Sequence, residues 1–286
     1  MLSKGIKHML VAGVFFSLMN VGVKYLDNIP AIEIVFFRSL VTLVISAIMI
    51  KRLGISFLGN NKAVLLLRGF FGVIALSLYF LCLQNMPLAS AVTIMQLSPI
   101  FTTILAIFIL KEKVKLPQWA FFLISFLGVA LIKGFDPDMP LLYFVLAIFS
   151  AFISALAYNM VRKLKDSDHP LVVVFYFPLV AMPVAGLMTC FVWVQPEPIE
   201  WLILIGIGIA TQIAQVNMTK ALQMEEVGKV SIVRYLTIVY AIIIGYVFFK
   251  DDYGWITLLG ISFVVFGVLL NLWYTQQKKE SSLRQA

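Results

Sequence analysis

Ten stretches of about twenty consecutive, mostly apolar residues follow one another along the chain, separated by short polar breaks. A helix of that length crosses the roughly 30 Å hydrocarbon core of a bilayer, and ten of them leave little from which to build a soluble domain. The spans fall near residues 8–26, 31–50, 64–84, 88–110, 117–134, 140–162, 171–194, 200–222, 227–249 and 255–274. Strands of a membrane barrel run about ten residues and alternate in polarity, whereas these runs are twice as long and continuously apolar. The composition agrees, with 62% hydrophobic and 13% charged residues and a mean hydropathy of +1.00; soluble domains carry roughly a quarter charged residues. Lys4 and Lys7 precede the first run as they would in a signal peptide, but the run is long, holds Asn20 and Lys24, and lacks a small-residue cleavage motif. The chain is therefore expected to be an all-α integral membrane protein of ten transmembrane helices.

Basic residues orient such a chain, because cytoplasmic loops are enriched in Lys and Arg. With the amino terminus inside, 17 of the 22 basic residues fall in inner segments, among them Lys51, Arg52, Lys62, Arg68, Lys111, Arg162, Lys163 and Lys278. Lys24, Lys133 and Lys250 lie outside, and Arg38 and Arg234 lie within spans. Both termini are then cytoplasmic, and the net charge of +8 faces anionic lipid. No basic surface interleaved with aromatic platforms suggests nucleic acid. Cys82 and Cys190 sit inside apolar runs as small core residues, and His8 and His169 are isolated. No metal cluster, phosphate loop, nucleophile elbow or intramembrane carboxylate pair stands out, so neither catalysis nor a cofactor is expected.

The two halves of the chain align without a gap at an offset of 139 residues. The segment from Leu83, LQNMPLASAVTIMQLSPIFTTILAIFILKEK, lies over that from Leu222, LQMEEVGKVSIVRYLTIVYAIIIGYVFFKDD. Gln84 meets Gln223, Leu97 meets Leu236, Lys111 meets Lys250 and Glu112 meets Asp251, and the offset persists to Gly128 with Gly267. Five crossings per half start the second copy on the opposite face. The expected organisation is two inverted five-helix repeats, residues 1–135 and 136–275, followed by a solvated cytoplasmic tail, 276–286. Inverted repeats characterise many secondary transporters, whose halves rock about a site near the midplane.

FFRSL at 36–40, LSPIF at 97–101, KEK at 111–113 and FLGVALI at 126–132 resemble the drug/metabolite transporter superfamily, in particular its EamA-type ten-helix carriers, over essentially the whole chain. The resemblance implies a central cavity enclosed by helices 1–4 and 6–9, with helices 5 and 10 at the periphery, in a plasma membrane such as a bacterial inner membrane, and it favours export. It also implies a bend at Pro99, whose counterpart in the second half is Ile238.

Arg234 and Arg38 are the most informative intramembrane residues. A charged side chain at bilayer depth costs from about 2.5 kcal/mol upward unless it pairs or faces water. Arg234 lies about 12 Å into its helix at 1.5 Å per residue, deep for a side chain reaching back to the interface. Arg38 has Glu33 or a carbonyl as structural alternatives. Two guanidiniums with one acid nearby call for an anionic substrate group, which a guanidinium fork holds in two hydrogen bonds. Asn20, Tyr79, Gln96, Tyr158, Gln212, Asn217 and Tyr235 add neutral polar groups, whereas Gly, Ala and most Ser on helical faces such as Gly13, Ser17, Asn20, Lys24 suit packing. Glu33 lies near the external end and suits an interfacial role. The expected function is alternating-access transport of a small anionic or zwitterionic metabolite bearing a carboxylate or phosphate. A multidrug exporter of cations or lipophiles is the alternative within transport, disfavoured by the lack of an acid in helix 1; a membrane enzyme or scaffold is the alternative outside it.

Overall fold

Prolines and polar caps start most of the helices, where a missing N–H costs nothing and a side-chain oxygen can take an orphan one. Ser3 accepts from Ile6 N at the head of α1 (Lys4–Tyr25), and Asn61 accepts from Val64 N at the head of α3 (Lys62–Asn85). Pro30 precedes α2 (Ala31–Arg52), Pro87 precedes α4 (Leu88–Met95) and Pro140 precedes α7 (Leu141–Lys163). Pro170 and Pro198 begin α8 (Pro170–Val192) and α9 (Pro198–Met224). The remaining helices are α5 (Ser98–Ile109), α6 (Leu116–Gly134), α10 (Leu236–Phe249) and α11 (Trp255–Gln285). This computed structural model describes residues 3–109, 111, 116–134, 140–164, 167–224 and 235–285, and no strand occurs among them.

The fourth span is broken. Pro99 has no N–H to give and its ring opposes the carbonyl four residues back, so α4 closes with tight three-residue bonds, Gln96 N to Thr93 O at 2.9 Å and Leu97 N to Ile94 O at 3.0 Å. Helical bonding resumes with Phe101 N to Leu97 O. The last helix runs on to Gln285, past the end of its apolar run near 274, since Gln, Lys, Glu and Arg are good helix formers; the tail expected at 276–286 is helical as far as that residue.

Helices pack in reciprocal sets: α1 on α9 and α3 on α7; α2 on α9 and α3 on α8; α1 on α10 and α5 on α7. Three further pairs, α2 with α8, α4 with α10 and α6 with α11, lie between these sets. The α6–α11 contact is the closest. A Cβ on Gly128 would come within 2.6 Å of Gly260 O, and one on Gly267 within 2.6 Å of Phe121 O. These approaches exchange places under the 139-residue offset, since Phe121 corresponds to Gly260 and Gly128 to Gly267. Lys111 and Lys250, also 139 apart, are the two non-glycine residues with positive φ among those described, at 54° and 56°.

Large apolar side chains cover the exterior, and polar ones join the apolar core inside. Leu116, Phe191 and Trp255 are more than 80% exposed, while Ser39, Ser90, Thr93, Ser150, Asn159 and Thr211 are fully buried. The exposed belt faces lipid, and the chain is a multi-pass membrane protein with the ten-helix fold, α4 and α5 together making one span.

Candidate functional site

A cavity of about 500 Å³ lies among α1, α3, α4, α7, α8 and α9, reaching Arg38 on α2 and Thr237 on α10. Peripheral α6 and α11 contribute nothing to its described lining. Asn20 and Tyr79 stand on its wall with Gln96, which the break at Pro99 turns inward, and Tyr158. Gln96 Nε2 donates to Thr237 Oγ1 across the cavity wall at 3.4 Å. Phe16, Met19, Leu76, Met95 and Phe177 supply apolar surface, so a few polar groups converge in a mostly hydrophobic chamber, as in small-molecule sites generally.

Arg38 is the buried cation of this chamber, only 4% exposed. Its Nε donates to Thr211 Oγ1 at 3.0 Å, its guanidinium stacks over Phe177 at 5.3 Å and Phe80 at 5.9 Å, and its Nη1 is buried without a partner. Glu33 does not neutralise it. That carboxylate is fully buried in the first turn of α2 and accepts from Val194 N at 3.1 Å, tying α2 to the segment just past α8.

The sequence-selected residues divide by location. Arg38, Asn20, Tyr79, Gln96 and Tyr158 line the chamber. Gln212 lies in a small adjoining recess with Arg38, where its Oε1 accepts from Ser46 at 3.3 Å. Asn217 joins helices instead: its Oδ1 meets His8 Nδ1 at 2.7 Å in the α1–α9 contact, outside the chamber lining. Tyr235 is buried at the head of α10 and does not line the chamber. Arg234 lies outside the described residues. Arg68, grouped from sequence with the cytoplasmic loop charges, lies inside α3 and lines the chamber. Its signal was its place: a charge followed at once by an unbroken apolar run.

The two ends of the chamber differ. Toward one end its lining continues to Leu164, Asp168 and Pro170 at the α7–α8 turn. Asp168 is engaged there, accepting from Asn60 N at 2.6 Å, Asn61 N at 3.3 Å and Ser167 Oγ at 2.7 Å. The other end is bolted by Lys24, whose ammonium donates to both oxygens of Asp251, at 2.8 and 2.9 Å, and to Met86 O at 3.0 Å. Asp251 also accepts from Leu88 N at 2.8 Å and from Tyr253 OH at 3.1 Å. It thus caps α4 from a distant segment, supplying the carboxylate that Pro87 cannot. Burial first, then the Asp251 charge, raises the Tyr253 phenol above its ordinary range, which keeps it a donor to that carboxylate. Gln84 Nε2 adds bonds to Leu26 O and Ile29 O at the same end.

A ten-helix membrane protein enclosing a mostly apolar chamber with a few convergent polar groups, sealed at one end and lined to the other, has the build of a membrane carrier. Its family follows from comparison with known proteins: the model of the EamA-like transporter family matches residues 3–134 and again 141–273, and the chain belongs to that family. It is 30% identical over 263 residues to the pseudopaline exporter CntI of Pseudomonas aeruginosa, covering 91% of this chain and 93% of the relative. It is 27% identical to a riboflavin transporter of Vibrio cholerae, covering 96% and 95%, and 25% identical to an S-adenosylmethionine uptake transporter of Rickettsia conorii, covering 96% and 94%. A solved crystal structure shares the fold at a TM-score of 0.67 and 18% identity, over 94% of this chain and 96% of its own. The protein is a transporter of a small metabolite rather than an enzyme.

Proposed function

We propose that the protein moves a small anionic or zwitterionic metabolite across the plasma membrane, a bacterial inner membrane, by alternating access, with export as the working direction. The observation that carries this reading is Arg38: a guanidinium 4% exposed, facing a 500 Å³ chamber, with a buried nitrogen lacking a partner. A cation so placed is costly unless a counter-charge arrives, and Asp168, the acid in the described lining, is spent on Asn60, Asn61 and Ser167. A carboxylate or phosphate of the substrate supplies that counter-charge, and Asn20, Tyr79 and Gln96 bind its neutral part. A cationic drug would meet an unfavourable field in the same place.

The basic residues put both termini in the cytoplasm, and with them the α7–α8 turn to which the chamber extends. The Lys24–Asp251 bolt then closes the external face. Residues 1–135 and 136–275 act as two inverted halves, which the reciprocal packing at the 139-residue offset supports; rocking them across the α2–α8 contact exchanges the open and closed ends.

The test is a thermal-shift screen of purified protein against metabolites grouped by charge, followed by flux in proteoliposomes. Anionic or zwitterionic compounds should raise the melting midpoint, since ligands preferring the folded state stabilise it, and folded R38Q should lose the response. Hits confined to neutral or cationic compounds, or undiminished by R38Q, overturn the reading.

A further inference from the structure

Arg68 has no place in the reading so far, yet it stands six residues into α3, about 9 Å from its start at 1.5 Å per residue. A basic residue near a helix end ordinarily reaches back to lipid headgroups. This one does not: its Nε and Nη1 are shielded from solvent with no hydrogen-bond partner, and its guanidinium lies 4.7 Å from the centre of the Phe177 ring. Arg38 stacks on that same ring at 5.3 Å. The two guanidinium carbons are therefore at most about 10 Å apart, and both face the chamber and its adjoining recess. No ion pair neutralises either one among the described residues, where Lys24–Asp251 is the ion pair that forms.

From this geometry we infer that Arg38 and Arg68, which share the ring of Phe177, form a two-point anion site, and that the transported substrate carries two negative charges. The inference rests on the anionic-substrate reading and sharpens it. A monoanion would satisfy one fork and leave the other guanidinium buried and unpaired, now without even the solvent it shares in the empty chamber. A dianion, either a dicarboxylate spanning the pair or a phosphate between them, neutralises both, and the planar forks favour bidentate contact with either group. Phe177 lies against both cations and attracts each through its ring, so the site is organised before substrate arrives.

The probes are glutarate and inorganic phosphate at pH 8 as dianions, and pentanoate as a monoanion of glutarate's chain length, added to purified full-length protein at matched ionic strength. Melting midpoints give apparent affinities. The dianions should bind about tenfold more tightly than pentanoate, one further charge-assisted bond's worth, and the larger of the two dianion responses tells a carboxylate pair from a phosphate. R68Q should bring that ratio to about one, because one fork remains, and R68K should keep part of the preference because the charge remains. A purely structural Arg68 would shift the midpoint without changing the ratio. The two-point site is overturned if pentanoate matches both dianions in wild-type protein, a comparison that needs no variant, or if folded R68Q keeps the preference. If no anion stabilises the wild type, the anionic-substrate reading falls with it.

Discussion

Removing Asp251 should open the bolted end. The carboxylate receives Lys24 through both oxygens, Leu88 N and Tyr253 OH, and each member of the ion pair is 11% exposed. D251A therefore strands an ammonium with one carbonyl, Met86 O, and uncaps α4. Breaking a buried pair from one side costs about 3–5 kcal/mol, and slight exposure places this pair at the lower end. Because these bonds exist only while this end is closed, about 3 kcal/mol moves the equilibrium between closed and open roughly 10²-fold toward open. K24M leaves Asp251 its bonds from Leu88 and Tyr253, so about 2 kcal/mol, or roughly 30-fold, is expected. The charge swap K24D/D251K should not rescue, since Leu88 N–H would then face a lysine. The assay is modification of a cysteine at Met19, a chamber-lining position, by a membrane-impermeant thiol reagent applied from the bolted side. C190S is the background because Cys190 is exposed, while Cys82 is buried. Labelling should accelerate in the order wild type, K24M, D251A. Equal rates in folded D251A and wild-type protein would refute the bolt as a gate.

Three other outcomes are expected. G267L forces side-chain atoms into the backbone of Phe121 and Ser125; overpacking of this kind costs about 1–3 kcal/mol, read as a lower melting midpoint, whereas an unchanged midpoint would show that α6 and α11 are not tightly docked. P99A restores an N–H and lets α4 and α5 join, so the midpoint should hold or rise while transport falls several-fold; full transport would show that the break does not position Gln96. Topology reporters fused after Asn61 and after Glu197 should report cytoplasm and exterior respectively, and finding both on one side would exclude the inverted arrangement.

Features that depend on the chain's own neighbourhood were legible in the sequence. Span length is local, so each apolar run is helical over most of its described residues; the effect of Pro99 acts four residues back, so the break could be anticipated; and the 139-residue offset recurs in the paired positive φ of Lys111 and Lys250 and in the crossed glycines of α6 and α11. What failed to show was which remote side chain meets which. Lys24 reads as an external charge at the end of the first span until Asp251, 227 residues away, is placed against it. Asn217 reads as one more neutral polar group for the site, yet His8 takes it for the α1–α9 contact. Arg68 lies inside the span read at 64–84 yet counts with the inner charges, because depth in a helix does not tell whether a side chain turns to the headgroups or to the chamber.

The cations of the bolt and the chamber face the same physical problem and meet it in opposite ways. Lys24 has its whole answer within the protein: a carboxylate, a carbonyl and the face of Phe249 at 5.1 Å. Arg38 and Arg68 have aromatic faces and one threonine hydroxyl, enough to hold the guanidiniums in position but not to neutralise them. Closing the empty chamber would remove the remaining water from two unpaired charges, a step that grows costlier as the local dielectric falls. Closing it around an anion removes water from a neutralised set. On the proposed anion reading, the incomplete pairing would make occlusion favourable only with substrate aboard, while the complete pairing at Lys24 would keep the far end shut until that occlusion has occurred.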